Sequence, residues 1–124
     1  MDAAAVSAVS SALAPHSGIG FKPQHLSPLL AAFDDGGVHP GWVEVHPQNY
    51  FTDGGPPHRW LAALHERMPL SFHSTGLSLG SQGGPDRDEL RGLASLCERY
   101  SPRLVSDHLS WSNAPGEKFP DLLP

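Results

Sequence analysis

Four short apolar runs, each closing on histidine, carboxylate or amide side chains, constrain the fold of this chain more than any other feature. They are GIGFKPQH (18–25), WVEVHPQNYF (42–51), LSFHSTGLSLG (70–80) and LVSDHLSWS (104–112). Brief apolar runs bounded by glycine and proline read as strands, and the stretches between them carry helical spacing. Alternating βα units require a parallel sheet with right-handed crossovers. In barrels and open α/β sheets, the residues that do chemistry sit where strands end and loops begin. The polar side chains of these runs fall at that place, which is the pattern of an enzyme.

The spacing predicts four strands and three helices. Residues 18–21 and 42–46 form the first two strands, with Val43 and Val45 on one face and Trp42, Glu44 and His46 on the other. Residues 70–72 and 104–106 form the third and fourth. The first helix lies within 23–33, with Ser27 as N-cap and Pro28 at its first position. The second runs over 58–68 with Trp60, Leu61, Leu64 and Met68 inward. The third runs over 85–100, acidic in its first turn (Asp86, Asp88, Glu89), with Leu90, Leu93, Leu96 and Cys97 as its inner stripe. Glycine and proline dominate the remainder, read as loop or the start of a fourth helix. Three and a half βα units cannot close a (β/α)8 barrel, which needs about 250 residues. The expected fold is therefore α/β, the N-terminal half of such a barrel, over residues 18–124. Residues 1–17 are expected as a flexible Ala/Ser-rich tail.

Composition removes several function classes. The net charge is −5 and no Lys/Arg cluster occurs, so the electrostatic footprint of nucleic-acid binding is missing. A single cysteine, Cys97, excludes an internal disulfide and a cysteine-rich zinc finger, and suits a reducing cytoplasm. Its place on a helix stripe makes it a packed thiol rather than a nucleophile. The first seventeen residues contain no Lys or Arg, so the charged start of a secretory signal is absent. No apolar run reaches the roughly 18 residues of a membrane span. No serine sits in a GxSxG elbow, and GIG at 18–20 is not a dinucleotide fingerprint.

Metal ligation is the chemistry that the strand ends suggest. His73 follows an apolar strand, and a neutral imidazole nitrogen is a common ligand when the other nitrogen is anchored. The alternative is a loop histidine bonded to backbone. Asp107 and His108 occupy the equivalent place one unit later. Neighbours in a regular strand point to opposite faces, so one of the two is expected in the site unless the strand has ended; the alternative is a capping or turn Asp107 with a solvent-exposed His108. Glu44 and His46 share a face, with Asn49 just beyond. A carboxylate facing a barrel interior is costly unless it is paired with a basic group, hydrogen-bonded or metal-bound, and Asn49 serves equally as a loop cap. His25 follows the first strand. His16, His39, His58 and His65 read as solvated surface.

Taken in order and at this spacing, the strings GIGFKPQH, WVEVHPQNYF, DGGPP, LSFHSTGLSLG, LVSDHLSWS and DLLP resemble the multinuclear non-haem iron oxidative enzymes. That bacterial family, long catalogued as a domain of unknown function, includes the iron enzyme of methanobactin biosynthesis and relatives that modify cysteines of ribosomally made peptides. The resemblance covers residues 18–124. It implies a TIM-type barrel with two or three iron ions at its C-terminal mouth, a peptide substrate and a partner protein that presents the leader segment. It also implies metal ligation by His25, His73 and Asp107, where many relatives carry Glu in place of Asp107. Glu44, His46, Asn49 and His108 match motif positions without an assigned role, and no catalytic residue is implied. Family members are roughly twice this length, as a whole barrel requires, so the chain is expected to be a truncated or split member with a partial site. Two other readings stay open. One is a TIM-barrel isomerase or hydrolase using zinc, manganese or magnesium. The other is an inactive fragment or half-barrel that self-associates, or pairs with a second chain, through its exposed sheet edge.

Overall fold

The computed structural model describes residues 17–124, so the Ala/Ser-rich segment and His16 lie outside the described residues, Ser17 excepted. The chain runs through β1 (Gly18–Gly20), a 3-10 turn (Pro23–His25), α1 (Leu26–Asp34), β2 (Trp42–Val45) and a second 3-10 turn (Pro47–Tyr50). It continues through α2 (Pro56–His65), β3 (Leu70–Ser74), α3 (Arg87–Tyr100) and β4 (Leu104–Asp107), and ends in β5 (Trp111–Ala114) and β6 (Glu117–Leu123). Strands β1 to β4 form one parallel sheet in the order of the chain. A doubly wound sheet reverses its order at a switch point; this one does not. With each crossover right-handed, an unreversed order puts α1, α2 and α3 on one face. The architecture is α/β, four parallel strands and three helices, consistent with half of a TIM-type barrel.

Strand alternation decides what each face does. Val43, Val45, Leu70 and Phe72 point to the helices and are at most 2% exposed. They meet Leu29 of α1, Leu61 and Leu64 of α2, and Leu93, Leu96 and Tyr100 of α3 in one apolar core. Fully burying a side chain such as Phe72 contributes about 2–3 kcal/mol. The opposite face carries Trp42, Glu44, His46, His73 and Ser106, all half-buried or exposed. In register, Glu44 lies beside Ser71, and His73 beside Ser106. That face is the one a barrel turns inward.

The helix boundaries differ from expectation for local reasons. Ser27 is not the N-cap of α1. The preceding 3-10 turn runs directly into the helix, so His25 takes the cap position without a side-chain bond. Helix α2 starts two residues early because Pro56 and Pro57 supply a preset φ at its first positions. It ends at His65, and Met68 packs into the core from the following turn. Helix α3 begins after Asp86, whose carboxylate caps Asp88 and Glu89, and it ends on Ser101 in the left-handed region (φ 43). Leu90 is 46% exposed and is not part of the inner stripe; Tyr100, 3% exposed, takes that place. Gly92 gives α3 room, since a Cβ there would stand 2.9 Å from the Phe51 ring.

The segment after β4, expected as loop or helix, is an antiparallel hairpin of β5 and β6 with an irregular register between Trp111 and Asn113. Two strands alone are marginal in water, and this pair is fastened to the β3–α3 loop. Gly80 N–H donates to the Ser110 carbonyl at 2.8 Å, and Ser112 N–H to Ser78 Oγ at 2.8 Å. Lys118 Nζ lies 2.7 Å from Asp86 Oδ2.

Candidate metal centre

The C-terminal ends of β2, β3 and β4 bring three imidazoles side by side. His73 Nε2 lies 3.0 Å from His108 Nε2, with ring centroids 4.8 Å apart. The His46 ring is 5.8 Å from that of His73. Strand register explains the neighbours, because His46 and His73 follow the paired residues Val45 and Phe72. His108 joins them because β4 ends at Asp107, which frees the next residue from the ladder.

Hydrogen bonds fix which nitrogens remain available. His46 Nδ1 lies 3.1 Å from the His73 carbonyl oxygen, which can only accept. Nδ1 therefore carries the proton, and His46 Nε2 presents a lone pair. His73 Nδ1 is anchored 2.8 Å from Ser106 Oγ. An imidazole held at one nitrogen with the other turned outward is the usual ligand arrangement. Two Nε2 atoms at 3.0 Å are either joined by one proton or ready to share one cation.

The remaining sequence candidates are placed elsewhere. Asp107 shares the register row of Ser74, on the helix-side face and away from His73. Its Oδ2 accepts from Leu77 N–H at 3.2 Å, bracing the β3–α3 loop, while Oδ1 is buried without a hydrogen-bond partner among the described residues. Of the adjacent pair it is thus His108 that meets His73. His25 Nδ1 accepts from Lys22 N–H at 3.2 Å, so in its neutral form the ring carries its proton on Nε2. Ligation through Nε2 requires that bond to break. Glu44 is half-buried, and its carboxylate makes no hydrogen bond or ion pair with the described residues. Asn49 is exposed, with its backbone N–H on the His46 carbonyl. Among the described residues, no three His, Cys, Asp or Glu groups converge closely enough to hold one ion. The donor chemistry fits a borderline transition metal at the His73–His108 pair, and the ligand set is incomplete within these residues.

His58, expected on the surface, is 4% exposed. Its Nε2 faces the Thr52 carbonyl at 2.7 Å, so Nε2–H donates, and Tyr100 Oη–H donates to Nδ1 at 2.7 Å. This histidine is a buried strut between α2, α3 and the loop before α2. The helix period places position 58 one turn before Leu61, which was the signal available in the sequence. Cys97 is half-buried against the core, and burial pushes its thiol pKa up, which lowers its nucleophilic fraction. No helix among the described residues is long and apolar enough to cross a membrane.

Comparison with known proteins gives this geometry a family. UPF0276 proteins resemble the chain closely. That of Paraburkholderia phytofirmans is 47% identical over 107 residues, covering 86% of this chain and 34% of the relative. That of Caulobacter vibrioides is 42% identical over 112 residues, covering 90% and 39%. That of Bordetella pertussis is 43% identical over 112 residues, covering 90% and 37%. The chain thus spans little more than a third of the length of the curated relatives it matches, less than the expected half. The family model described as RiPP precursor modification enzyme MbnB/TglH/ChrH matches residues 16–124. The chain belongs to that family.

Proposed function

We propose that this chain contributes part of an iron centre for the oxidative modification of cysteine residues in ribosomally made precursor peptides. The observation that carries this is the His73–His108 pair, with Nε2 atoms 3.0 Å apart at the mouth of the parallel sheet and His46 alongside. Iron, when bound, supplies the oxygen-dependent redox chemistry. Of this chain's residues, His73 and His108 would hold it as a pair of donors, with Ser106 anchoring the His73 ring, and His46, held on the His73 carbonyl, would line the same mouth. His25 joins the ligand set through Nε2 only after giving up its present hydrogen bond, whereas Asp107 keeps one carboxylate oxygen without a hydrogen-bond partner among the described residues. Glu44 lies on the same sheet face without a partner among the described residues, where a cation would offset the cost of burying its charge.

The rest of the site comes from outside the described residues. Ile19 on β1 and Leu104 and Val105 on β4 are 36–48% exposed at the two open edges of the sheet. Apolar edges of this kind pair with further βα units, in the same polypeptide, a second copy or another chain. A separate leader-binding protein would present the precursor.

The test is metal content after anaerobic purification and loading with ferrous ion. The wild-type chain retains iron, and the His73→Ala/His108→Ala double variant loses it while keeping its far-ultraviolet dichroism. Full occupancy by zinc or manganese with no iron would sink the oxidative reading in favour of a hydrolase or isomerase. Mass spectrometry of precursor peptide incubated with iron-loaded protein and O2, with cysteine-free peptide as control, then reads the modification itself.

A further inference from the structure

The groove between the β3–α3 loop and the β5–β6 hairpin holds about 740 Å³, well within the range of ligand sites. Its composition departs from that of the chain. The protein carries thirteen acidic and eight basic residues, yet among the described residues Arg87 is the only charged one lining this groove. Arg87 makes no ion pair or hydrogen bond with the described residues, whereas Arg67, Arg91 and Lys118 are all paired with carboxylates.

The walls add hydrogen-bond donors and a flat apolar surface. Ser112 N–H donates to Ser78 Oγ, which lies 2.6 Å from Ser81 Oγ, and Ser81 Oγ lies 2.6 Å from Asn113 Oδ1. Reading the protons along that chain, Ser78 donates to Ser81 and Ser81 donates to Asn113 Oδ1. The Asn113 Nδ2 amide protons have no acceptor among the described residues, and Asn113 lines the groove. The Trp111 indole is held in place by its Nε1–H on the Pro124 carbonyl at 3.1 Å and by an edge contact with Phe119. On the opposite wall a Cβ at Gly83 or Gly84 would meet nothing within 4 Å, so a ligand backbone can approach there.

We propose that this groove binds an extended segment of the peptide substrate in which an aromatic or aliphatic residue, stacked on Trp111, adjoins a carboxylate paired with Arg87. The inference rests on the peptide-substrate reading above and assigns a recognition surface to it. Arg supplies the fork that carboxylates match, and a preset indole face contributes contact area at little entropic cost. The groove is contiguous in sequence with the imidazoles: Trp111 follows His108 by three residues, and Gly80 follows His73 by seven.

The experiment uses fluorescein-labelled hexapeptides with Phe-Glu or Phe-Lys at their centre, titrated with iron-free protein at low salt and read by anisotropy. The wild-type chain is expected to prefer the Glu peptide by about tenfold, the scale of a favourable charge contact plus an avoided repulsion. Arg87→Glu reverses that preference, and physiological salt, with a Debye length of about 8 Å, reduces it. Arg87 is exposed at the first turn of α3, where a glutamate favours the helix, so the variant folds. An unchanged Glu-to-Lys ratio in Arg87→Glu overturns the proposal. The His73→Ala/His108→Ala variant keeps the preference if the groove reading holds. A protein that binds no iron but discriminates the peptides would therefore refute the metal reading alone.

Discussion

Asp86 fastens two elements at once, and separating its two roles tests how the hairpin is held. Its Oδ1 accepts from Asp88 N–H at 3.0 Å and from Glu89 N–H at 3.1 Å, capping α3. Its Oδ2 lies 2.7 Å from Lys118 Nζ on β6. Replacing an aspartate cap by alanine costs about 1 kcal/mol. The Lys118 side chain is 67% exposed, so screening limits the ion pair to about 0.5 kcal/mol. Asp86→Ala should therefore lose about 1.5 kcal/mol, and Asp86→Asn, which keeps the cap oxygen, about 0.5 kcal/mol. Urea denaturation at neutral pH reads both, with Lys118→Met closing a double-mutant cycle. The Lys118 ion pair, followed by the Glu89 and Asp88 amides, holds the Asp86 pKa below the usual carboxylate value. Its charged contribution is then complete above about pH 4, the unfolded value, and disappears as pH falls through the lower folded value. The wild-type and Asp86→Asn curves should converge in that acid window, while Asp86→Ala stays less stable. If Asp86→Asn proves as damaging as Asp86→Ala at pH 7, charge rather than the cap carries the effect, and the reasoning fails.

Other positions give independent checks. Phe72→Ala empties the centre of the core between β3 and the helices and should cost about 3–5 kcal/mol, read by urea denaturation or by loss of a cooperative melt. Tyr100→Phe leaves the buried His58 Nδ1 without its donor and should cost about 1–3 kcal/mol in the same assay. Ser101→Gly relieves a left-handed residue at the end of α3 and should stabilise by about 0.5–1 kcal/mol, a rise of a few degrees in melting temperature.

What the sequence revealed depended on period. Val43 and Val45 against Glu44 and His46 is a period-two signal, and the faces came out as read, because a buried parallel strand has no freedom to slip register. The α/β class followed from the same alternation. Hairpin β5–β6 was hidden because Pro115, Gly116 and Pro120 resemble loop, and its strands are secured by Ser78, Ser81 and Asp86 from distant sequence rather than by their own pattern. His58 was misread because exposure was inferred from polarity. Its partners, Tyr100 and the Thr52 carbonyl, are assembled only by packing α2 against α3. At the strand ends, sequence pointed to the polar residues but not to how they are shared out, since His25 and Asp107 accept from backbone amides that their own spacing does not disclose.

Asp107 gives the sharpest division between the two roles that its position allows. As placed, its Oδ2 accepts from Leu77 N–H and supports the loop that forms one wall of the groove. As a metal ligand it would instead turn a carboxylate oxygen towards the imidazoles across the strand. Asp107→Asn distinguishes these roles, because an amide oxygen serves a backbone donor almost as well as a carboxylate but is a much poorer iron ligand. If the loop role is the whole of it, Asp107→Asn holds stability within about 0.5 kcal/mol and retains wild-type iron. Asp107→Ala then costs about 1–3 kcal/mol, since a part-buried amide loses its acceptor, and proteolysis in the β3–α3 loop quickens. Loss of iron in Asp107→Asn at unchanged stability would instead make the carboxylate a ligand, and faster proteolysis of the wild-type β3–α3 loop on iron loading would show that it leaves Leu77 to become one. The metal and the groove wall would then compete for one side chain, and iron binding should loosen the peptide.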